Sequence, residues 1–176
     1  MDKTLILLEI IGFIQAPILW FLFKKYGKRN VLGEMIAAAI VGIFWEIATE
    51  PLWDYNFKIT FYRDVPVGVI TGWMIMLTLV PIVSEKLYCL ILRKEKLKEK
   101  DKRIFFFDII TAIFICLPME AIGAHFKVWT YNTDILGWDW GIIPFFNLPW
   151  ELMMGYSLLM LIAPTFVRYW QEEFEK

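Results

Sequence analysis

PVGVITGWMIMLTLVPIVSEKLYCLIL, Pro66–Leu92, decides the fold. It carries no charged residue before Glu85. At 1.5 Å per residue, about 20 apolar residues in a helix cross roughly 30 Å of hydrocarbon, so a run of this kind reads as a membrane span. Thr4–Phe23, Val31–Thr49, Ile104–Ile122 and Pro144–Phe166 have the same character, which gives five candidate spans. Pro81 inside the longest predicts a tilt or a kink.

Composition agrees. Of 176 residues, 59% are hydrophobic and 21% charged, and the mean hydropathy is +0.54. Soluble domains are about 45–50% apolar. The charges lie in short clusters between the apolar runs, so the net charge of −1 says little about partners. The basic run Arg93–Arg103 lacks interleaved aromatic residues and sits between two spans, which argues against nucleic acid and for a solvated loop. The first run lacks a basic segment before it and reads as a retained span rather than a cleaved signal.

Lysine and arginine set the expected orientation. Lys24, Lys25, Lys28 and Arg29, the seven basic residues from Arg93 to Arg103, and Arg168 and Lys176 fall on one side. Lys3, Lys58, Arg63 and Lys127 fall on the other. The bias is thirteen to four, with Lys86 at a span end left out. The positive-inside rule places the first side in the cytoplasm, with the N-terminus outside and the C-terminus inside, most simply in a plasma membrane.

Two outer stretches repeat an order of residues. The first runs Glu46, Glu50, Trp53-Asp-Tyr55-Asn56, Pro66, Trp73. The second runs Glu120, His125, Trp129-Thr-Tyr131-Asn132, Pro144, Trp150. Each lies between two spans on the same side. The expected fold is an all-α integral membrane protein with five transmembrane helices, a tandem parallel repeat of a two-helix unit plus an extra N-terminal helix. Within the single membrane domain 1–176, the segments are 1–30 (extra span), 31–92 (repeat one), 93–103 (cytoplasmic loop), 104–167 (repeat two) and 168–176 (tail). The Trp-x-Tyr-Asn loops suit an interfacial aromatic belt, and their recurrence suits a lid over a cavity.

Acids gather at one depth. Glu46, Glu50, Glu120 and Glu151 lie at outer span ends, and Glu9 somewhat deeper in the first span. A carboxylate in hydrocarbon costs at least about 2.5–3.5 kcal/mol, so such groups pair, face a cavity or stay protonated. Glu46, Glu120 and Glu151 are the candidate catalytic acids. Trp53, Tyr55, Asn56, Trp129, Tyr131, Asn132 and Trp150 are the candidate substrate-binding residues. Glu34, Glu85 and Asp108 lie near the cytoplasmic ends, within reach of the interface and its lysines. No His/Glu spacing suits a metal, and neither Cys89 nor Cys116 belongs to a CxxC motif, so the expectation is no metal and no cofactor.

The stretch Glu120–Met154 resembles small membrane proteins of carotenoid biosynthesis: the bacterioruberin-type carotenoid hydratases and, more loosely, the small membrane-type lycopene cyclases. Glu120-x-x-Gly123, Trp129-x-Tyr131-Asn132, Leu136-Gly137, Gly141-Ile-Ile-Pro144 and Pro149-Trp150-Glu151 carry the resemblance. The last looks like the Pro-x-Glu of the cyclases, although Leu152 stands where they usually have a second acid. The resemblance implies acid chemistry on a long isoprenoid alkene without redox or an obligatory metal. Two functions follow as expectations. One is acid-initiated cyclisation or hydration of a polyprenyl or carotenoid lipid. The other, from the acids and the parallel repeat, is a small proton- or cation-coupled transporter or channel-like protein using the same acids. The partner is a membrane lipid or isoprenoid, and a homo-oligomer is compatible with the sequence.

Overall fold

The computed structural model describes residues 3–98 and 100–174. Among them, five helices are long and apolar enough to cross a membrane: Lys3–Gly27, Leu32–Leu52, Val67–Leu92, Ile104–His125 and Trp150–Phe174. In chain order the elements are α1 (Lys3–Lys25), α2 (Leu32–Thr49), β1 (Trp53–Tyr55), β2 (Thr60–Tyr62), β3 (Val65–Pro66), α3 (Val67–Leu92), α4 (Ile104–His125), β4 (Trp129–Tyr131), α5 (Thr133–Leu136), β5 (Ile142–Ile143), β6 (Leu148–Pro149), α6 (Trp150–Met160) and α7 (Ala163–Phe174).

α3 is the hub, packed by α1, α2, α4 and α7. Small residues let the backbones approach, as expected where lipid supplies no hydrophobic drive for helix association. A Cβ on Gly12 of α1 would lie 2.9 Å from the Cα of Gly68 of α3. Polar bonds reinforce that contact: the Thr71 hydroxyl donates to the Gly12 carbonyl, and Gln15 Nε2 donates to Thr71 Oγ1 at 2.9 Å. Gly42 of α2 sits under Trp73, where a Cβ would meet the Trp73 Cβ at 2.5 Å. Outward-facing side chains are apolar: Phe44 is 71% exposed, Leu90 75% and Phe114 74%. Patches of this kind mark a surface made to meet an apolar environment.

The fifth long helix begins at Trp150, later than the Pro144 that the apolar pattern suggests. Ile142–Pro149 is instead an antiparallel hairpin of β5 and β6. The helix then breaks at Leu161–Ile162, whose N–H groups turn to carbonyls three residues back. Pro164, in the first turn of α7, has no N–H to offer the preceding turn. Pro81, by contrast, lies inside an unbroken α3.

At one end of the bundle a buried ion network replaces the expected reach to lysines. The fifth helix runs on to Phe174, so Arg168 lies within α7, its side chain only 13% exposed. Its guanidinium donates to Asp108 Oδ1 at 2.6 Å and Oδ2 at 2.8 Å, to Glu85 at 2.7 Å and to Ser84 Oγ at 2.7 Å. These bonds tie α3, α4 and α7 together. Arg29 pairs with Glu34, and Gln171 bridges the Glu34 N–H and the Asn30 carbonyl at 2.9 Å each. On the nearby loop the Asp101 carboxyl is held well below the usual carboxylate range by the Arg103 guanidinium and the Tyr88 hydroxyl.

The opposite end carries three short two-stranded pairs, β1–β4, β2–β3 and β5–β6. The sequence reading placed no strands here. The pairs give loop N–H and C=O groups the partners that the helices supply elsewhere. Glu9 serves the same need by accepting the N–H groups of Lys58 and Ile59 at 2.8 and 2.7 Å.

Candidate functional site

The two Trp-x-Tyr-Asn loops pair with each other. β1 and β4 run antiparallel with Trp53 opposite Tyr131 and Tyr55 opposite Trp129, about a centre at Asp54 and Thr130. The asparagines repeat the exchange. The N–H of Asn56 donates to the Val128 carbonyl at 2.9 Å, and that of Asn132 to the Leu52 carbonyl at 2.8 Å. The side-chain amide of Asn56 reaches the Lys127 carbonyl, and that of Asn132 the Pro51 carbonyl. Trp53 packs edge-on to Tyr131 at 5.2 Å and Tyr55 edge-on to Trp129 at 6.4 Å. The result is one lid made by both loops.

Glu46 and Glu120 lie beneath it, 3% and 9% exposed. Glu46 accepts from the Tyr55 hydroxyl and from Trp73 Nε1, each at 2.5 Å. Glu120 accepts from Tyr131 at 2.9 Å, from Trp129 Nε1 at 3.1 Å and from the Tyr156 hydroxyl. Trp73 and Tyr156 stack at 5.8 Å between the two sides. Burial, then the charge of Glu46, pushes the Tyr55 phenol well above its ordinary range. Burial, then Glu120, does the same to Tyr131. Both therefore stay protonated and point O–H bonds at the acids.

The two halves differ in one useful respect. The Trp53 indole donates to Thr49 Oγ1 at 3.1 Å, away from Glu46. In the second half Gly123 leaves room for the Trp129 ring, which would overlap any Cβ there. Trp129 therefore lies against α4 and reaches Glu120.

Both acids border one cavity of about 210 Å³. Trp53, Tyr55, Trp73, Trp129 and Tyr156 also line it, with residues from α1, α3 and α4. Among the described residues no cation contacts either acid. Lys58 and Lys127 are exposed, and Arg63 pairs with Glu50 at 2.7 Å on the surface.

Other expected site residues stand elsewhere. Glu151 does not line the cavity; its Oε1 accepts the Trp140 N–H at 2.7 Å and fastens the loop before β5. The later helix start is the reason, because it puts Glu151 in the first turn of α6 beside that loop. Trp150 is 46% exposed and outside the cavity. Asn56 and Asn132 clasp the loops, and Tyr131 backs Glu120. Sequence matching passed over Tyr156 and set Trp73 against Trp150. In the structure the returning helices start after Pro66 and Pro149, and seven residues on from each stand Trp73 and Tyr156, both donors to an acid. The seven-residue step from Pro66 to Trp73 was the available signal. No group of histidine, cysteine, aspartate and glutamate able to hold a metal occurs among the described residues. Comparison of the chain with protein-family models, curated proteins and solved structures finds no match.

Proposed function

We propose that the chain is a membrane-embedded enzyme that starts a cyclisation or hydration by protonating an isoprenoid alkene, with Glu46 and Glu120 as its acids. One observation carries the reading: two buried carboxyl groups, without a cation, face a single apolar cavity walled by indole and phenol rings. A carboxyl group in its protonated form gives its proton to the alkene, leaving a tertiary carbocation. Aromatic faces stabilise that cation. A proton then leaves to the second carboxylate after ring closure, or from a water that has added. Either outcome is redox-neutral. The resemblance to carotenoid hydratases and small lycopene cyclases points to the same chemistry.

On this reading the five long helices span a bilayer with the paired loops outside. The loops join two copies of a two-helix unit, repeat one over 31–92 and repeat two over 104–167. The reciprocal Asn56 and Asn132 bonds support the duplication. So does the Pro-to-donor spacing, and so does the match of Glu34 to Asp108 twelve residues before each acid. A transporter would need a polar route from cavity to far end. The core cluster that holds Trp53 and Trp73 also buries Leu77, Val80, Ala112 and Cys116, an apolar packing that favours the enzyme reading. The test is expression in cells rich in linear carotenoids, followed by analysis of extracted lipids. A hydrated or cyclised product that vanishes with Glu120→Gln supports the proposal. An unchanged isoprenoid profile at full expression sinks it.

A further inference from the structure

The cavity is shaped for part of a chain rather than a whole one. Its volume of about 210 Å³ exceeds the ~150 Å³ of a cavity that binds benzene, yet lies below the roughly 300 Å³ at which pockets for drug-sized ligands begin. A long polyene cannot fit inside it. The rest of any such ligand must lie where apolar surface continues, and the wall shows where. Leu8, Ile11 and Gln15 come from α1, and Met119 and Ile122 from α4. These two helices each pack on α3 rather than chiefly on each other. Ile11 and Ile122 line the cavity and are also 41% and 52% exposed on the outer apolar surface. They are the two sides of a lateral slot. The slot's floor is α3, where Gly72 supplies no side chain; Gly68 beside it is covered by Gly12 and Phe57. A Cβ on Gly72 would meet only the end of the Gln15 side chain, at an ordinary van der Waals distance of 3.8 Å, so this floor position takes a side chain without a backbone clash.

We infer that the cavity takes one terminus of an apolar prenyl-type chain end-on from the lipid, between α1 and α4 and over Gly72, while the remainder of the chain stays in the bilayer. The inference rests on the proposed isoprenoid chemistry for its ligand class and on the slot geometry for the mode of entry. It makes the site selective for chain ends. The terminal double bond reaches Glu46 and Glu120, interior double bonds remain outside Ile11 and Ile122, and the two ends of a symmetric substrate require two separate visits.

The test uses the full-length protein in lipid nanodiscs with two linear tetraprenyl hydrocarbon probes, one bearing a terminal diazirine and one a diazirine at mid-chain. After photolysis, labelled peptides are mapped by mass spectrometry. The terminal probe should mark interior residues such as Trp73, Met76 and Met119. The mid-chain probe should mark the rim at Ile11 and Ile122, with interior labelling at least tenfold lower. Gly72→Leu, which fills the floor, should cut interior labelling by the terminal probe at least tenfold and keep the rim labelling. Equal interior labelling by both probes overturns end-on entry. So does interior labelling indifferent to Gly72→Leu, or none from either probe. The probe contrast is read in the wild-type protein, so it stands even if the variant folds poorly. Labelling as expected without any isoprenoid product in cells would leave the entry mode intact and remove the enzymatic reading. Product formation with the wrong labelling pattern would do the reverse.

Discussion

Replacing Glu120 in two ways separates chemistry from architecture. Its Oε1 accepts the Tyr156 hydroxyl, and its Oε2 accepts Tyr131 and Trp129 Nε1. In Glu120→Gln the amide oxygen can keep Tyr131 and Trp129, while the amide N–H₂ turns to Tyr156, whose hydroxyl rotates to accept. The Tyr156 O–H then loses its acceptor, but no charge remains to be buried. Hydrogen bonds to a neutral acceptor are worth about 0.5–1.5 kcal/mol against about 1.5–3 for a charged one, and the removed charge offsets that loss. Stability should therefore fall by no more than about 1–3 kcal/mol, the cost of one unpaired buried donor. Turnover should fall by about 10²–10⁴, the usual contribution of a positioned acid or base. Glu120→Leu strands the Tyr131 and Tyr156 hydroxyls at about 1–3 kcal/mol each and leaves Trp129 only its 3.4 Å bond to Tyr131, so it should lose ~3 kcal/mol or more. Thermal unfolding in detergent and chromatography of the isoprenoid products measure the two quantities. Wild-type turnover in Glu120→Gln would remove Glu120 from the mechanism. Unfolding of Glu120→Gln to the extent of Glu120→Leu would make the carboxylate structural.

Gly123→Ala puts a methyl group where the Trp129 ring lies. Overpacking of this kind costs about 1–3 kcal/mol, and the displaced indole should lower turnover through its lost bond to Glu120. A neutral result in both unfolding and product assays would contradict the close approach. Arg168→Met leaves Asp108 fully buried without its partner, at a cost of about 3–5 kcal/mol. Adding Asp108→Leu should recover much of that loss in the same unfolding assay, and independent, additive losses would count against the network. Asp101 has a depressed folded pKa, so its stabilising effect is complete above its unfolded value near 3.9 and fades as pH falls through the folded value. The unfolding gap between wild type and Asp101→Asn should therefore close in acid, and a gap constant to the lowest accessible pH would refute the Arg103 and Tyr88 contacts. Single cysteines at Lys58 and Asp134 should react with an impermeant maleimide from outside intact cells, and one at Lys96 should not. The reverse pattern would invert the proposed orientation.

The amino-acid sequence determines the five long apolar helices, because hydrocarbon thickness converts directly into a run length that any reader can count. It also exposes Glu46, Glu120 and the two Trp-x-Tyr-Asn loops, since acids in apolar runs and a recurring aromatic order are local patterns. It misplaces the start of the fifth helix. Gly141–Pro149 is as apolar as a span, and only its pairing as a hairpin shows that its backbone bonds across strands instead of along a helix. That shift carries Glu151 and Trp150 away from the cavity and brings Tyr156 into it. Arg168 reads as a solvated tail residue until α7 carries it to Asp108 and Glu85, which come from two other helices. Hydropathy and spacing act along the chain, whereas the partner of a buried charge, the shared lid and the open side of a cavity depend on contacts between segments up to 141 residues apart. Tertiary packing alone decided those.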